Sequence, residues 1–186
     1  MTKHIRSIII IGAFLFCVFM FTIPHQAAAA SAAEINQNAK TILEKLYAKT
    51  DSARALGQNA KAILVFPSIT KAGFIVGGQY GEGVLLKEGK PAGYYNTVSA
   101  SYGLQAGVQK FGYVLFFMTD AALRYLDRSD GWELGTGPSV VIVDTGTAKS
   151  LTTTTAKSDV YAFFFDQRGL MAGVGLQGTK ITKIEK

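Results

Sequence analysis

The stretch that decides the fold is Ala72–Gln109, with the sequence AGFIVGGQYGEGVLLKEGKPAGYYNTVSASYGLQAGVQ. Its glycines recur between β-branched and aromatic residues. A flexible linker is also rich in glycine, but it lacks residues such as Phe74, Tyr80 and Tyr94. Glycine within strands permits bulges, tight bends and close approach of two backbones. The pattern therefore predicts a curved or barrel-like, glycine-rich antiparallel sheet.

The rest of the chain adds further short strands to this sheet. Apolar or alternating runs bounded by Gly, Pro and polar residues are typical of strands. Within the central stretch we expect strands at Gly73–Gln79, Gly83–Lys87, Gly93–Tyr95 and Val98–Gly107, turns at Tyr80–Glu82 and Glu88–Pro91, and a connector at Ser68–Lys71. Outside it we expect strands at Ala62–Phe66, Lys110–Met118, Val140–Val143, Val160–Asp166, Gly169–Gln177 and Thr179–Ile184, with Thr152–Thr155 as a strand edge or loop.

Three segments have helical rather than alternating patterns. Glu34–Thr50 carries apolar residues at helical spacing and predicts an amphipathic helix. A second, short helix follows Thr50, with Gly57 as its expected terminator or break, and Thr119 is the expected N-cap of a third helix, DAALRYL. Helices packed on such a sheet give an α+β fold, with Trp132 as a lid over its core.

The N-terminus has the three regions of a secretory signal peptide. Lys3 and Arg6 precede the apolar run 7–23, which is followed by an alanine-rich segment with small-x-small cleavage sites. We therefore expect residues 1–30 to be removed and residues 31–186 to form a single domain, exported to the periplasm or cell envelope. An uncleaved membrane anchor is the alternative. The bulky Phe16 before Cys17 argues against a lipoprotein.

Removing this segment also removes every histidine and cysteine. His4, His25 and Cys17 all lie within residues 1–30, so the remaining chain has no histidine general base, no Cys nucleophile and no His or thiolate metal ligand. We expect no catalytic residues, no metal and no cofactor. A carboxylate-based hydrolase stays open, because the spacing of acids such as Glu82, Glu88, Glu133 and Asp144 across a fold cannot be read from sequence.

The basic residues suggest a surface for acidic partners. The formal charge of +6 falls to +4 once Lys3 and Arg6 are removed. Lysines beside an apolar helical stripe can snorkel at a membrane surface, although the same pattern fits an ordinary helix packed on a sheet. The candidate lipid-binding residues are Lys40, Lys45 and Lys49 on the first helix, together with Arg54, Lys61 and Lys71.

Four blocks in order resemble the SYLF domain family. They are ILVFPSITKAGFIVGGQYGEGVLL, YYNTVSASYGLQAGVQKFGYVLFFMTDAAL, GWELG and GLMAGVGLQGTKI, and together they extend over about Ala53 to Ile184. The resemblance implies a non-enzymatic domain that associates with phospholipid and, in some relatives, with actin. It also implies that the glycines are architectural and that Lys71 is the basic residue within the motif.

Together these observations favour a module that binds anionic phospholipid or a membrane surface. A structural or protein-interaction role with an envelope partner is the alternative. Nucleic acid is not an expected partner, because the protein is predicted to be exported and its excess of positive charge is small.

Overall fold

The computed structural model describes residues 30–128, 130–143, 157–169 and 178–186. This part of the chain contains three helices and six strands. They are α1 (Ala32–Lys49), α2 (Asp51–Asn59), β1 (Ala62–Lys87), β2 (Lys90–Phe117), α3 (Asp120–Leu126), β3 (Trp132–Glu133), β4 (Val140–Val143), β5 (Val160–Gly169) and β6 (Lys180–Ile184). The predicted α+β class is confirmed. Within the described ranges, no helix has both the length and the apolar character needed to cross a membrane.

Two helices precede the sheet, close to their predicted positions. The hydroxyl of Ser31 accepts a hydrogen bond from the Glu34 N–H at 3.2 Å and caps α1. Gly57, however, lies inside α2, so its predicted role as a terminator is wrong. An added Cβ at Gly57 would overlap the Tyr47 hydroxyl. Glycine at this position thus serves the packing of α2 against α1.

Strands β1 and β2 form one very long antiparallel hairpin. Lys87 pairs with Lys90 across a two-residue turn in which Glu88 and Gly89 both have positive φ, 51° and 75°. This geometry is typical of a tight hairpin turn and confirms the turn predicted at Glu88–Pro91. The predicted connector at Ser68–Lys71 and turn at Tyr80–Glu82 are wrong, because both segments lie within β1.

The hairpin bends sharply, and glycines make the bend possible. The register between β1 and β2 shifts at Phe66/Ile69, Gly73/Ile75 and Leu85/Leu86. An added Cβ on Gly81 would lie 2.9 Å from the Ser68 carbonyl oxygen, and one on Gly83 would overlap the Val65 carbonyl oxygen. The end of β1 therefore crosses directly over its beginning. This crossing confirms both the strong curvature and the architectural role of these glycines.

The other strands pair with β2 or extend the sheet from it. The strand order is β3-β6-β2-β5-β4, and β1 pairs with β2 as well. Every pair is antiparallel except β4 and β5, where Val140–Val143 runs parallel to Val160–Phe163. The prediction of an entirely antiparallel sheet is wrong in this respect, because alternation along a strand does not encode the direction of its neighbour. Residues 170–177 and the run Thr152–Thr155 lie outside the described residues.

The sheet has a helix-covered outer face and an inner face enclosed by its own curvature. On the outer face, apolar residues of α1 and α2 pack on those of the strands: Ile35, Ala39, Leu43, Ala53 and Leu56 against Val65, Val84, Val114, Phe116 and Phe163. The inner face buries Leu64, Phe66, Ile69, Tyr113, Leu115 and Trp132. The Trp132 indole N–H donates to the Thr136 carbonyl oxygen at 3.0 Å, and this residue is a core lid as predicted.

Candidate functional site

The apolar stripe of α1 is used mainly for packing on the sheet. Ile35, Ala39 and Leu43 are buried there, whereas Ile42, Leu46 and Tyr47 are only partly buried. The exposed part of the helix includes Lys40, Lys45 and Lys49. The helix can therefore offer charge to a membrane, but the buried centre of its apolar stripe cannot enter the acyl region without leaving the sheet.

The three lysines of α1 do not form one patch. At 100° per residue, Lys45 lies about 140° and Lys49 about 180° around the helix axis from Lys40. Lys40 projects toward the hairpin turn, where it lines a groove, and the other two lie on the opposite flank. A flat membrane would therefore contact one flank at a time.

The other three predicted residues lie apart from this helix face. Arg54 donates to the Tyr47 carbonyl oxygen and approaches Asp51 Oδ1 at 3.3 Å, so it links α1 to α2. Lys61 is exposed just before β1, and Lys71 lies within β1 opposite Gln109. The structure does not gather the six residues into one site, and their role in lipid binding stays a prediction.

A groove of about 430 Å³ separates α1 from the β1–β2 turn, and we call it the helix–hairpin groove. Its walls combine apolar side chains with a few polar ones. They are formed by Ala33, Asn36, Gln37, Lys40, Leu43, Glu44, Tyr47, Leu86, Gly89 and Pro91. Mostly apolar concavities with few polar groups are the usual form of small-molecule sites.

Hydrogen bonds and burial fix the walls of this groove. Asn36 on α1 donates its amide N–H to the Tyr94 hydroxyl on β2 at 2.9 Å. Burial raises the pKa of Tyr47, so this phenol is neutral at physiological pH. Lys87 and Lys90 bracket the turn that forms one wall, and both are exposed. Together with Lys40 they give three cations against two carboxylates, Glu44 and Glu88.

Sequence reasoning identified only one wall of this groove. Lys40 was recognisable because it borders the apolar stripe of α1. Leu86 and Pro91 were not recognised, nor were the flanking Lys87 and Lys90, because their proximity to α1 is a tertiary contact. The tight turn at Glu88–Gly89 was the available signal, because it brings the end of β1 and the start of β2 together.

A second cleft, of about 480 Å³, lies where α1 begins and β1 crosses itself. Glu82 in this cleft has both oxygens engaged. The Tyr80 hydroxyl donates to Oε1 at 2.8 Å, and the Lys186 ammonium donates to Oε2 at 2.8 Å and to the Ala30 carbonyl oxygen at 2.9 Å. The Glu82 and Lys186 side chains are only 9% and 11% exposed.

This pairing decides the ionisation of Glu82. Burial alone would raise the pKa of the carboxyl group, but the hydrogen bonds from Lys186 and Tyr80 and the Lys186 charge outweigh it and lower the pKa. Burial, followed by the interaction with Glu82, raises the pKa of Tyr80 to about 12. Although Glu34 also lines the cleft, Glu82 is committed to this network. The ion pair and the Tyr80 hydrogen bond therefore hold Glu82 ionised in this cleft.

Comparison with known proteins bears on the C-terminal half. Residues 98–186 match the family model Ysc84, described as Las17-binding protein actin regulator. No curated protein matches the chain. The matched segment contains most of β2 and the elements that follow it, whereas α1, α2 and β1 precede it. The predicted family resemblance is confirmed over these residues, and every residue that lines the helix–hairpin groove lies outside them.

Proposed function

We propose that this member of the SYLF domain family is a non-enzymatic module that binds anionic phospholipid at the bacterial envelope. The observation that carries the proposal is the helix–hairpin groove, where an apolar wall and the exposed Lys40 meet. The resemblance drawn from the sequence, which implies association with phospholipid, supports the same ligand class.

The groove suits an amphiphile with a negative head. Leu43, Tyr47, Leu86 and Pro91 supply an apolar wall for part of an acyl chain. Lys40 lies at the same opening, where a phosphate would gain from its charge. Glu44 disfavours a second negative group nearby, so the groove is better matched to one headgroup than to a polyanion.

The cellular location follows from the N-terminal segment. A basic start, an apolar run and an alanine-rich end suit export and cleavage near residue 30. The matched family's description names Las17 binding and actin regulation. An exported protein would not meet such partners, so the membrane surface is the partner that we propose.

Flotation with phosphatidylcholine vesicles, with and without phosphatidylglycerol, tests the proposal. We expect binding only when the anionic lipid is present. Any contribution of the apolar segment 7–23 is common to both vesicle types, so the measured quantity is the difference between them. Lys40→Glu should weaken the anionic component by fivefold or more, because one surface cation contributes about 1 kcal/mol.

Lys157→Glu is the matched control, because Lys157 is exposed and lies just before β5, outside the groove. The double variant Lys45→Glu/Lys49→Glu tests the opposite flank of α1 separately. Equal flotation of the native protein with neutral and anionic vesicles would show that it is not an anionic-lipid module.

Protein interaction is the second candidate function, and β4 is the observation that favours it. This short strand pairs with β5 on one side and has no partner strand on the other among the described residues. Ile142 is exposed on it. Such an edge can accept a strand from another protein. Recovery of one defined envelope protein in a pull-down, without vesicle binding, would favour this candidate.

A further inference from the structure

The outer face of the long hairpin continues beyond the helices and is uncovered there. Four of the five exposed large hydrophobic side chains in the described part of the chain lie in this region. They are Val76 (65% exposed), Tyr80 (51%), Val98 (43%) and Val108 (60%), and we call the surface that they form the distal face. The fifth, Ile142, lies on β4.

The pairing of β1 and β2 shows which of these residues are neighbours. Tyr80 lies directly opposite Val98, and Ala72 lies opposite Val108. Directly opposed residues of an antiparallel pair project from the same face. Exposed small residues, Gly78 paired with Ala100, follow the Tyr80–Val98 pair, and Val108 lies beyond the register shift at Gly73/Ile75. The distal face is thus a row of exposed apolar residues along one side of the hairpin.

Alternation assigns the distal face to the outer side of the sheet. Val84 and Val114 point outward and are buried under α1 and α2. Tyr80 lies four residues before Val84, and Val108 six residues before Val114, so both point to the same side. The same face is therefore covered near both ends of the hairpin and exposed along its middle.

Two exposed lysines lie on the same side of the sheet as the distal face. Residues 70–80 and 96–110 contain no Asp or Glu, and of their two charged residues Lys110 points outward with Val108, whereas Lys71 pairs with the buried Gln109 and points to the inner side. Lys180 on β6 lies opposite Val98 and is exposed, and Glu133 of β3 lies opposite Lys180. Glu82, the nearest carboxylate along β1, is neutralised by Lys186.

We propose that the distal face is the surface that enters the headgroup region of an anionic bilayer. The inference rests on the proposed function and assigns it a membrane-facing side. Exposed valines and an aromatic ring supply apolar contact, and the lysines supply the attraction to acidic headgroups. The centre of the α1 stripe cannot do this, because Ile35, Ala39 and Leu43 are buried against the sheet.

A tryptophan at position 108 tests the contact directly. Trp132 is the only native tryptophan and is buried, so it gives a constant background. The fluorescence of the new tryptophan in Val108→Trp should be quenched by phosphatidylglycerol vesicles that carry brominated acyl chains, and its emission should shift to shorter wavelength. Ile142→Trp is the matched control, because it replaces an exposed aliphatic residue elsewhere, and it should stay unquenched.

Polar substitution provides the second measurement. The pair Val98→Gln/Val108→Gln should weaken binding to anionic vesicles about tenfold, since two partly inserted apolar side chains are lost. Ile142→Gln should bind as the native protein does. Unchanged unfolding of each variant in urea shows that the fold is retained.

The outcomes separate the two proposals. Binding of the native protein to anionic vesicles without quenching at position 108 would overturn the distal face and leave the proposed function standing. Absence of any preference of the native protein for anionic vesicles would overturn both. Loss of self-association in Val98→Gln/Val108→Gln, measured without lipid, would instead identify the face as an interface between two copies and contradict the lipid assignment.

Discussion

The middle of the β1–β2 hairpin and its two end regions have the same alternating pattern and opposite surroundings. At the end nearer the turn and the start of β1, outward residues such as Val65, Val84 and Val114 are buried under α1 and α2. Toward the bend, outward residues such as Val76 and Val108 are exposed. The comparison shows that alternation determines which side a residue faces, whereas the helix layer determines whether that side meets water.

The covered and the exposed apolar residues of the hairpin also differ in how much they stabilise the fold. Apolar residues under the helices gain free energy by leaving water, roughly 25 cal/mol for each Å² buried. Residues of the distal face gain little of this in the isolated protein, because they stay largely exposed. Exposed apolar surface that does not stabilise the fold is typical of an interaction site.

The crossing of β1 over itself should be the point of the helix-covered region where substitution destabilises the fold most. In Gly83→Ala the new methyl group would overlap the Val65 carbonyl oxygen and approach the Phe66 ring at 2.7 Å. Backbone must move to accommodate it, and we expect a loss of about 3 kcal/mol in the free energy of unfolding, measured in urea.

Gly78→Ala is the control, because it changes a glycine of the same motif in the exposed middle of the hairpin. Its Cβ would lie 3.6 Å from the nearest heavy atom, the Ser99 carbonyl oxygen. The variant should be neutral or more stable by up to about 1 kcal/mol, because alanine restricts the unfolded chain. Equal destabilisation by both substitutions would mean that the crossing does not distinguish the two glycines.

Two valines on β2 test the comparison within one strand and one face. Val114→Ala should cost about 2 kcal/mol, because it leaves a cavity under the helices. Val108→Ala should change the free energy of unfolding by no more than about 0.5 kcal/mol. The measurement is again urea unfolding. A large loss at Val108 would show that the distal face is covered in solution, and the membrane proposal would lose its basis.

Local signals in the sequence were sufficient for much of this fold. The turn at Glu88–Gly89, the three helices and the cap of α3, where the Thr119 hydroxyl accepts from the Ala122 N–H at 3.2 Å, all depend on neighbouring residues. The predicted turn at Tyr80–Glu82 failed for the opposite reason. Gly81 and Gly83 are required by contact with Val65–Ile69, and glycine in a sequence does not distinguish a turn from a crossing.

The candidate site was less accessible from sequence than the fold. Periodicity identified Lys40 as a residue at the border of the α1 stripe, and the structure places it at a groove. Periodicity could not show that Lys45 and Lys49 lie on the other flank of α1 from the groove, because the groove forms only where α1 packs beside the β1–β2 turn. Nor could it show that Val108 is exposed while Val114 is buried, since both fit the same alternation.

Glu82, which lies on β1 between the exposed Tyr80 and the buried Val84, forms a largely buried ion pair with Lys186, and the contribution of this pair to stability should depend on pH. The pKa of Glu82 is lowered from 4.5 in the folded protein, so ionised Glu82 stabilises the fold. That contribution is fully present above the unfolded value and is lost as the pH falls through the folded value. Glu82→Gln removes it and leaves the Lys186 ammonium without a counter-charge.

We therefore expect Glu82→Gln to be less stable than the native protein at neutral pH, by less than Val114→Ala, and the difference to shrink as the pH falls below 4.5 and through the lowered pKa of Glu82. Urea unfolding at a series of pH values measures it. Glu133→Gln, at an exposed carboxylate on β3, controls for the loss of one negative charge. A difference that stays constant with pH would show that ionisation of Glu82 does not contribute to the stability of the fold.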